Sequence, residues 1–547
     1  MHYSELQGNI NDFSNYAGVD ENSIATDEIN LRILQGHLKS FNTAIELERF
    51  VDASNELPAI LSKIGIITKM RAGKTKRRMI LDTKAALIKF VSRKGQRVIL
   101  PRLLDAILQA LRLMGDCKTG EGVEWMVLDF TDAFWQMRLH PEERKFFCCR
   151  IKHEGKQKFI SFLSTAQGSR GAPLTWARFA ALVMVLTQSL FDRMALRLQC
   201  FVDDPLAAIK GSETRRKIII AVITLVWEAL GCKLAYAKGQ RGSGAEWIGG
   251  ELDIDITNGI LTAKVKDAII KDITLLLDAF SKTNLISRKD LESFVGKLSH
   301  AAGLLVTLRP FLHSLWAALY SPEGKVSGTI WTKQIAHSLS WLRAFFHHAM
   351  PGLVRRFRLT DFLGHGDRIE IGTDASPWGL GGWLAVNDII IKFFYCALDD
   401  FDIELFSLIL GDCKGQQTLE CLAILVAIRA WIPSTEKRVQ LCPVVRGDNM
   451  SALTMALKMR PRTAHMAIIS REIALCLVHY SFPPAVFHTP GISHVIADAL
   501  SRIYDPAKPE AYKILEHPAL LHAEFTKVPT RTPEYYLALE EANPLLV

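Results

Sequence analysis

Asp203 and Asp204 sit between two apolar runs, in Leu198-Gln199-Cys200-Phe201-Val202-Asp203-Asp204-Pro205-Leu206-Ala207. The pattern predicts a β-hairpin with its acids at the tip. Alone, an Asp-Asp pair is most often a solvated turn, because aspartate is a common turn residue. A further acid, Asp129, ends the run Glu124-Trp125-Met126-Val127-Leu128-Asp129, which reads as a buried strand. A buried carboxylate is costly unless compensated, so Asp129 needs a metal or an arginine partner. Two strands of one sheet can bring positions 129 and 203 together. Mg²⁺ takes hard oxygen ligands and keeps substrate phosphates in its shell. Two such ions can stabilise the attacking and leaving oxygens of a phosphoryl transfer. The chemistry expected is a 3′-hydroxyl attacking an α-phosphate, with pyrophosphate leaving.

A second set of acids lies further on. Residues 368–374 read as a strand ending in Asp374, and the glycine-rich residues 378–383 are expected to turn into the next strand. Glu420 falls in a helical pattern from Gln416 to Trp431. Val444-Val445-Arg446-Gly447-Asp448 is another strand-like run ending in an acid. Asp498 lies in residues 494–502, which read as a short helix. Taken singly, each of these acids is a solvated or capping residue.

The elements that must position these acids follow from the remaining pattern. The chain has 547 residues, a soft prior of about three or four domains. Hydrophobic residues make up 49% and charged residues 22%, enough for sizeable cores in a soluble protein. The net charge of +9 and pI near 8.9 permit a nucleic-acid partner without establishing one. Six of the basic residues, Lys69, Arg71, Lys74, Lys76, Arg77 and Arg78, fall within ten positions that hold no acid. Gly73-Lys74-Thr75 is not a phosphate loop, since Thr68 stands where that motif requires glycine. A basic hairpin fits better, with Arg77 and Arg78 on opposite faces of a strand.

Residues 167–174 form a small-residue loop, with Pro173 opening an apolar helix. Residues 264–320 have a helical pattern, with Ser287 and Asp290 marking a helix start. Residues 1–55 are polar and mixed, and the proline-containing tail after 506 reads as peripheral. The ten cysteines include no Cys-x-x-Cys pair. This disfavours zinc and suits free thiols in a reducing, intracellular compartment, cytoplasm or nucleus. No signal peptide opens the chain, and the most apolar run, 218–230, is too short to span a bilayer.

At this point the motifs resemble a known family. Leu128-Asp129-Phe130-Thr131-Asp132-Ala133-Phe134, Gln167-Gly168 with Pro173, and Phe201-Val202-Asp203-Asp204 resemble three successive palm motifs of reverse transcriptases. Residues 69–78 with Asp82 resemble the fingers motif, Lys238 the lysine of the next palm motif, and Trp247-Ile248-Gly249 the primer grip. Asp374, Glu420, Asp448 and Asp498 resemble the four metal-binding acids of ribonuclease H. His488-Thr489-Pro490-Gly491 before residues 497–502 is similar to the ribonuclease H end of retrotransposon polyproteins. Residues 296–312 resemble the thumb of DIRS-type elements, which carry a tyrosine recombinase. The resemblance covers roughly residues 60 to 505, and its strength lies in the ordered set of motifs.

The resemblance implies an α+β multidomain chain. A right-hand polymerase is followed by a connector and an α/β ribonuclease H-like domain. The boundaries expected are an extension at 1–55, fingers and palm at 56–254, thumb at 255–320, connector at 321–365, ribonuclease H-like domain at 366–505 and tail at 506–547. It makes Asp129, Asp203 and Asp204 polymerase metal ligands. Phe134 becomes a gate against a ribose 2′-hydroxyl. Gln167, Gly168, Asp132 and Lys238 fall at the nucleotide site, with Arg78 facing the triphosphate beside Lys69 or Arg71. Asp374, Glu420, Asp448 and Asp498 would hold the metals of the nuclease, with His488 assisting proton transfer. The implied cofactor is Mg²⁺, with Mn²⁺ as an alternative. The implied partners are an RNA template, a DNA primer, dNTPs and an RNA–DNA hybrid, with no membrane. The implied function is RNA-directed DNA synthesis with ribonuclease H cleavage of the hybrid. The competing readings are a catalytically decayed nucleic-acid-binding scaffold, or an active polymerase with a silent nuclease domain. Three departures stand out. Phe201 replaces the more usual tyrosine, Pro205 follows the acidic pair, and His494 lies where asparagine is common.

Overall fold

The computed structural model describes residues 14–20, 23–54, 58–71, 74–92, 95–153, 156–322, 328–348, 353–365, 367–432, 443–478, 480, 485–539 and 542, apart from the side chains of residues 23, 69, 71, 74, 76, 153 and 348. The chain divides into two compact units. The first is Met1–Pro101 with Lys118–Gly242, and the second is Arg102–Cys117 with Ser243–Val547.

The first unit is built around a four-stranded antiparallel sheet. Its order is Leu196–Phe201, Asp204–Gly211, Gly122–Val127, Gln240–Gly242. The helices Ala172–Ser189 and Glu213–Ala229 pack on it, and Trp176, Trp227 and Phe130 are buried in that core. The first helix opens with Pro173, as its sequence predicts. The expected basic hairpin is present, with Lys63–Arg71 antiparallel to Lys74–Asp82. A three-stranded sheet is formed by Leu38–Phe41, Lys156–Phe162 and Cys148–His153. Residues 14–54, unreadable as sequence, contribute the helix Ser23–Leu34 and the strand Leu38–Phe41 to this unit.

The second unit opens with an antiparallel sheet of Gly244–Trp247, Gly250–Asp255, Ile260–Val265 and Val354–Arg358. The helices Asp267–Phe280, Arg288–Ala301, Arg309–Tyr320 and Ala336–His348 follow the first three strands or separate them from the last. Ser287 caps the second of these helices, its hydroxyl accepting from the Asp290 N–H at 3.0 Å. A six-stranded mixed sheet follows, in the order Ala485–His488, Val444–Gly447, Ile369–Ala375, Gly379–Val386, Ile389–Ala397, Glu524–Phe525. The buried helix Gln416–Trp431 packs on it.

Two expectations are corrected here. The glycines at 379, 381 and 382 do not make a turn; they lie inside the strand Gly379–Val386. A Cβ at Gly381 would come within 2.4 Å of the Ser501 backbone nitrogen, and one at Gly382 within 2.6 Å of the Phe394 ring. Glycine lets the helix Val495–Ser501 lie directly on the strand. The tail is not peripheral either. Arg531, 1% exposed, pairs with Asp402 at 2.7 Å and Asp399 at 3.0 Å. The buried Tyr536 donates its hydroxyl to Asp402 at 2.5 Å. Ala538 N–H donates to the buried Glu472 at 2.7 Å. Removing one member of a buried ion pair strands the other charge, at about 3–5 kcal/mol. Arg531→Ala is therefore expected to lower the unfolding midpoint of the second unit in a denaturant titration, and an unchanged midpoint would show that the tail is not structural.

Candidate active sites

The hairpin carrying Asp203 forms as its sequence predicts, with Phe201 opposite Asp204 and Val202-Asp203 as the turn. Val202 has φ +58°, a left-handed conformation that β-branched residues rarely adopt and that costs on the order of 1–3 kcal/mol. The buried Trp176 supports it by donating its indole N–H to the Val202 carbonyl at 2.6 Å. The strand Gly122–Val127 runs antiparallel to Asp204–Gly211. Beyond its end, Leu128 N–H donates to the Pro205 carbonyl at 3.2 Å and Phe130 N–H to the Asp203 carbonyl at 2.9 Å. Asp129 is thereby carried to the hairpin tip, as the sequence expectation required.

Asp129 and Asp203 line one cavity of about 590 Å³. Asp132, Phe134, Gln167 and Gly168 line it too, with Arg32, Arg77, Arg78 and Lys238 as cations. Asp204 is not among the lining residues; it opens the return strand. The Lys238 ammonium lies against the Asp129 carboxylate. Gly168 has φ +102°, and a Cβ there would come within 2.2 Å of the Leu81 carbonyl oxygen. The loop is tied to the basic hairpin, with Leu81 N–H donating to Gln167 at 2.9 Å and the Thr83 hydroxyl to the Gly168 carbonyl at 3.0 Å. Lys69 and Arg71 lie on that hairpin, but their side chains fall outside the described ones. Trp247, Ile248 and Gly249 belong to the second unit. Ile248 and Gly249, at φ +37° and +74°, turn the hairpin there after the buried Trp247, and His300 bonds the Ile248 carbonyl.

In the second unit, adjacent elements converge on a second acidic group. Ile369–Ala375 and Val444–Gly447 are parallel neighbours, so Asp374 and Asp448 emerge near their C-terminal ends. Among the described residues, ligand oxygens of Asp374, Glu420 and Asp448 lie within 4.8 Å of one another. Asp374 and Glu420 are buried, at 3% and 5% exposure. Burial pushes the Asp374 carboxyl up to about 7, with Asp448 and Asp498 adding to the rise and a hydrogen bond from Ser501 opposing it. Burial, with Asp374 next, also holds Glu420 well above the carboxylate range. Three hard oxygen donors, two of them buried, fit a divalent cation. Asp498 is held by Arg502 at 2.7 Å and lies outside the close group of three. His488 is exposed and donates its ring N–H to the Asp448 carbonyl at 3.1 Å. His494 is buried and bonds the Thr373 carbonyl at 2.8 Å, which fixes the strand beside Asp374. Gln416 donates to Glu420 at 2.8 Å and to the Ala375 carbonyl at 2.6 Å, a positioning role its sequence context does not show.

The raised carboxyl has a consequence for stability. Its folded-state value, about 7, lies above the unfolded value of 3.8. The native state therefore binds that proton more tightly, and metal-free stability falls as pH rises from about 4 to about 7. Asp374→Asn removes the buried charge. It is expected to stabilise the metal-free protein at pH 8 by at most about 4 kcal/mol and to have little effect at pH 4. Equal melting shifts at both pH values would count against a desolvated Asp374.

Residues 72–252, about a third of the chain, match the family model described as reverse transcriptase (RNA-dependent DNA polymerase). This span is a reverse transcriptase domain. No curated protein matches the chain. Among solved structures, a foamy viral protease-reverse transcriptase in complex with dsDNA is similar at 13% identity, with 88% of this chain and 86% of that chain covered and a TM-score of 0.45. Another, with an RNA/DNA hybrid, has 12% identity, covers 88% and 54%, and scores 0.41. In the reverse transcriptase domain the departures at Phe201 and Pro205 leave the hairpin intact. Pro205 sits opposite Cys200 and still accepts from Leu128. No described helix is long and apolar enough to cross a membrane.

Proposed function

We propose that the chain copies a retroelement RNA into DNA in its first unit and cuts the RNA strand of the resulting hybrid in its second. The observation that carries the polymerase reading is the pairing of Phe130 N–H with the Asp203 carbonyl, which delivers Asp129 and Asp203 to one cavity. In this reading the fingers and palm run to 254, the thumb to 320, the connector to 365 and the nuclease domain from 366 to 505. Asp129 and Asp203, with Asp204 beside them, would hold Mg²⁺, or Mn²⁺ in its place. A divalent ion held there would supply charge neutralisation at the attacking and leaving oxygens. Lys238, which lines the same cavity, would offer its ammonium to the nucleotide. Arg78 faces the triphosphate, where fixed positive charge stabilises the pyrophosphate leaving group. Gln167 and Gly168 present backbone to the base, and Phe134 walls the sugar. Trp247, Ile248 and Gly249 grip the primer.

In the second unit Asp374, Glu420, Asp448 and Asp498 would hold the nuclease metals. Gln416 and Ser501 fix two of these carboxylates by hydrogen bonds. His488, on the strand next to Asp448, moves the proton of the attacking water or leaving group. The test is primer extension on matched RNA and DNA templates with Mg²⁺ or Mn²⁺. Extension on the RNA template supports the reading, and extension on DNA alone contradicts it.

A further inference from the structure

We propose that Arg32 is a positioning residue for the nucleotide site, gripping from behind the turn that carries Phe134. The proposal rests on the polymerase reading of that cavity. Arg32 lies near the end of the helix Ser23–Leu34 and is 7% exposed. Its guanidinium makes contacts on two sides. Nη1 donates to Asp132 Oδ2 at 2.6 Å, and Nε donates to Glu28 Oε1 at 2.8 Å. The guanidinium carbon also lies 5.0 Å from the centroid of the Trp135 ring. The two residues held, Asp132 and Trp135, bracket Ala133 and Phe134.

The turn needs such a grip. Asp132 has φ +50°, and its side chain does not cap the short helix Ala133–Gln136 that it precedes. Left alone, an aspartate before a helix would bond the following N–H groups. Here the carboxylate is drawn to Arg32 instead, while the Asp132 carbonyl accepts from Trp135 N–H at 2.8 Å. From the other side the Thr165 hydroxyl donates to the Phe134 carbonyl at 2.5 Å. Trp135 is fixed in turn by stacking on Phe162, with ring centroids 5.8 Å apart. The pair does not sit in a remote core, because Arg32, Asp132 and Phe134 all line the cavity that holds Asp129 and Asp203. A planar fork can bond two carboxylates and stack on an indole together; a lysine ammonium cannot.

The test is steady-state primer extension by the full chain, with dTTP and UTP compared in wild type, Arg32→Gln, Arg32→Lys and Asp132→Asn. Loosening the turn should raise KM for dTTP and lower the dTTP/UTP preference, each by roughly tenfold. Arg32→Lys should not restore either. The preference is a ratio, so a loss of folded enzyme leaves it unmoved. If Arg32→Gln does not fold, Asp132→Asn gives the same reading from the other side of the pair. A lower kcat with KM and preference unchanged would overturn the proposal by making the contact purely structural. Asp203→Asn separates the two readings. If it still extends, the polymerase assignment of the cavity falls, and this proposal with it. If it is dead while Arg32→Gln and Asp132→Asn select like wild type, only the positioning role falls.

Discussion

Asp203→Asn is expected to lose primer extension on an RNA template by roughly a thousandfold or more, because several kcal/mol of metal-borne charge stabilisation leaves the transition state. The substitution keeps the side chain's size, and the turn survives it. Trp176 holds the Val202 carbonyl, and Phe130 holds the Asp203 carbonyl, through backbone atoms that the change does not touch. Binding of a primer–template duplex should therefore persist. Extension at the wild-type rate would remove the cavity around Asp129 from consideration as the polymerase site.

Asp448→Asn is expected to stop cleavage of the RNA strand while extension continues. Asp448 joins Asp374 and Glu420 in the close carboxylate group, and it is the exposed member of the three. Its carboxylate is open to metal and water, so its charge would contribute directly to metal binding. The expected loss is again roughly a thousandfold. The polymerase cavity is lined wholly by residues of the first unit. Gel analysis of a labelled RNA strand and a labelled DNA primer in the same reaction reads both activities. Equal loss of both would argue against separate sites.

Much of this architecture was legible in the sequence, because local signals carry it. Two apolar runs around Val202-Asp203 specify a hairpin, Ser287 with Asp290 specifies a cap, and the strands ending near Asp374 and Asp448 show as short apolar runs. What escaped depends on distant contacts. Gly379, Gly381 and Gly382 look like a turn until the helix carrying Asp498 is laid across them. Arg531 and Tyr536 have no periodic context, yet a carboxylate more than a hundred positions away, Asp402, buries them. Arg32 is one cation in a polar helix, and its partner Asp132 lies 100 positions on. The lysine that meets Asp129 was picked out by motif resemblance, whereas its direct pairing with that acid was not. At Pro205 the missing N–H matters little, since the carbonyl, which proline retains, carries the bond to Leu128.

The most direct test follows both strands of one substrate. A 5′-labelled RNA template annealed to a differently labelled DNA primer is incubated with the full chain, dNTPs and Mg²⁺. The account predicts primer elongation followed by shortening of the RNA, with Asp203→Asn abolishing elongation and Asp448→Asn abolishing only the shortening. A primer that stays at its starting length with wild-type protein, in both Mg²⁺ and Mn²⁺, would contradict it.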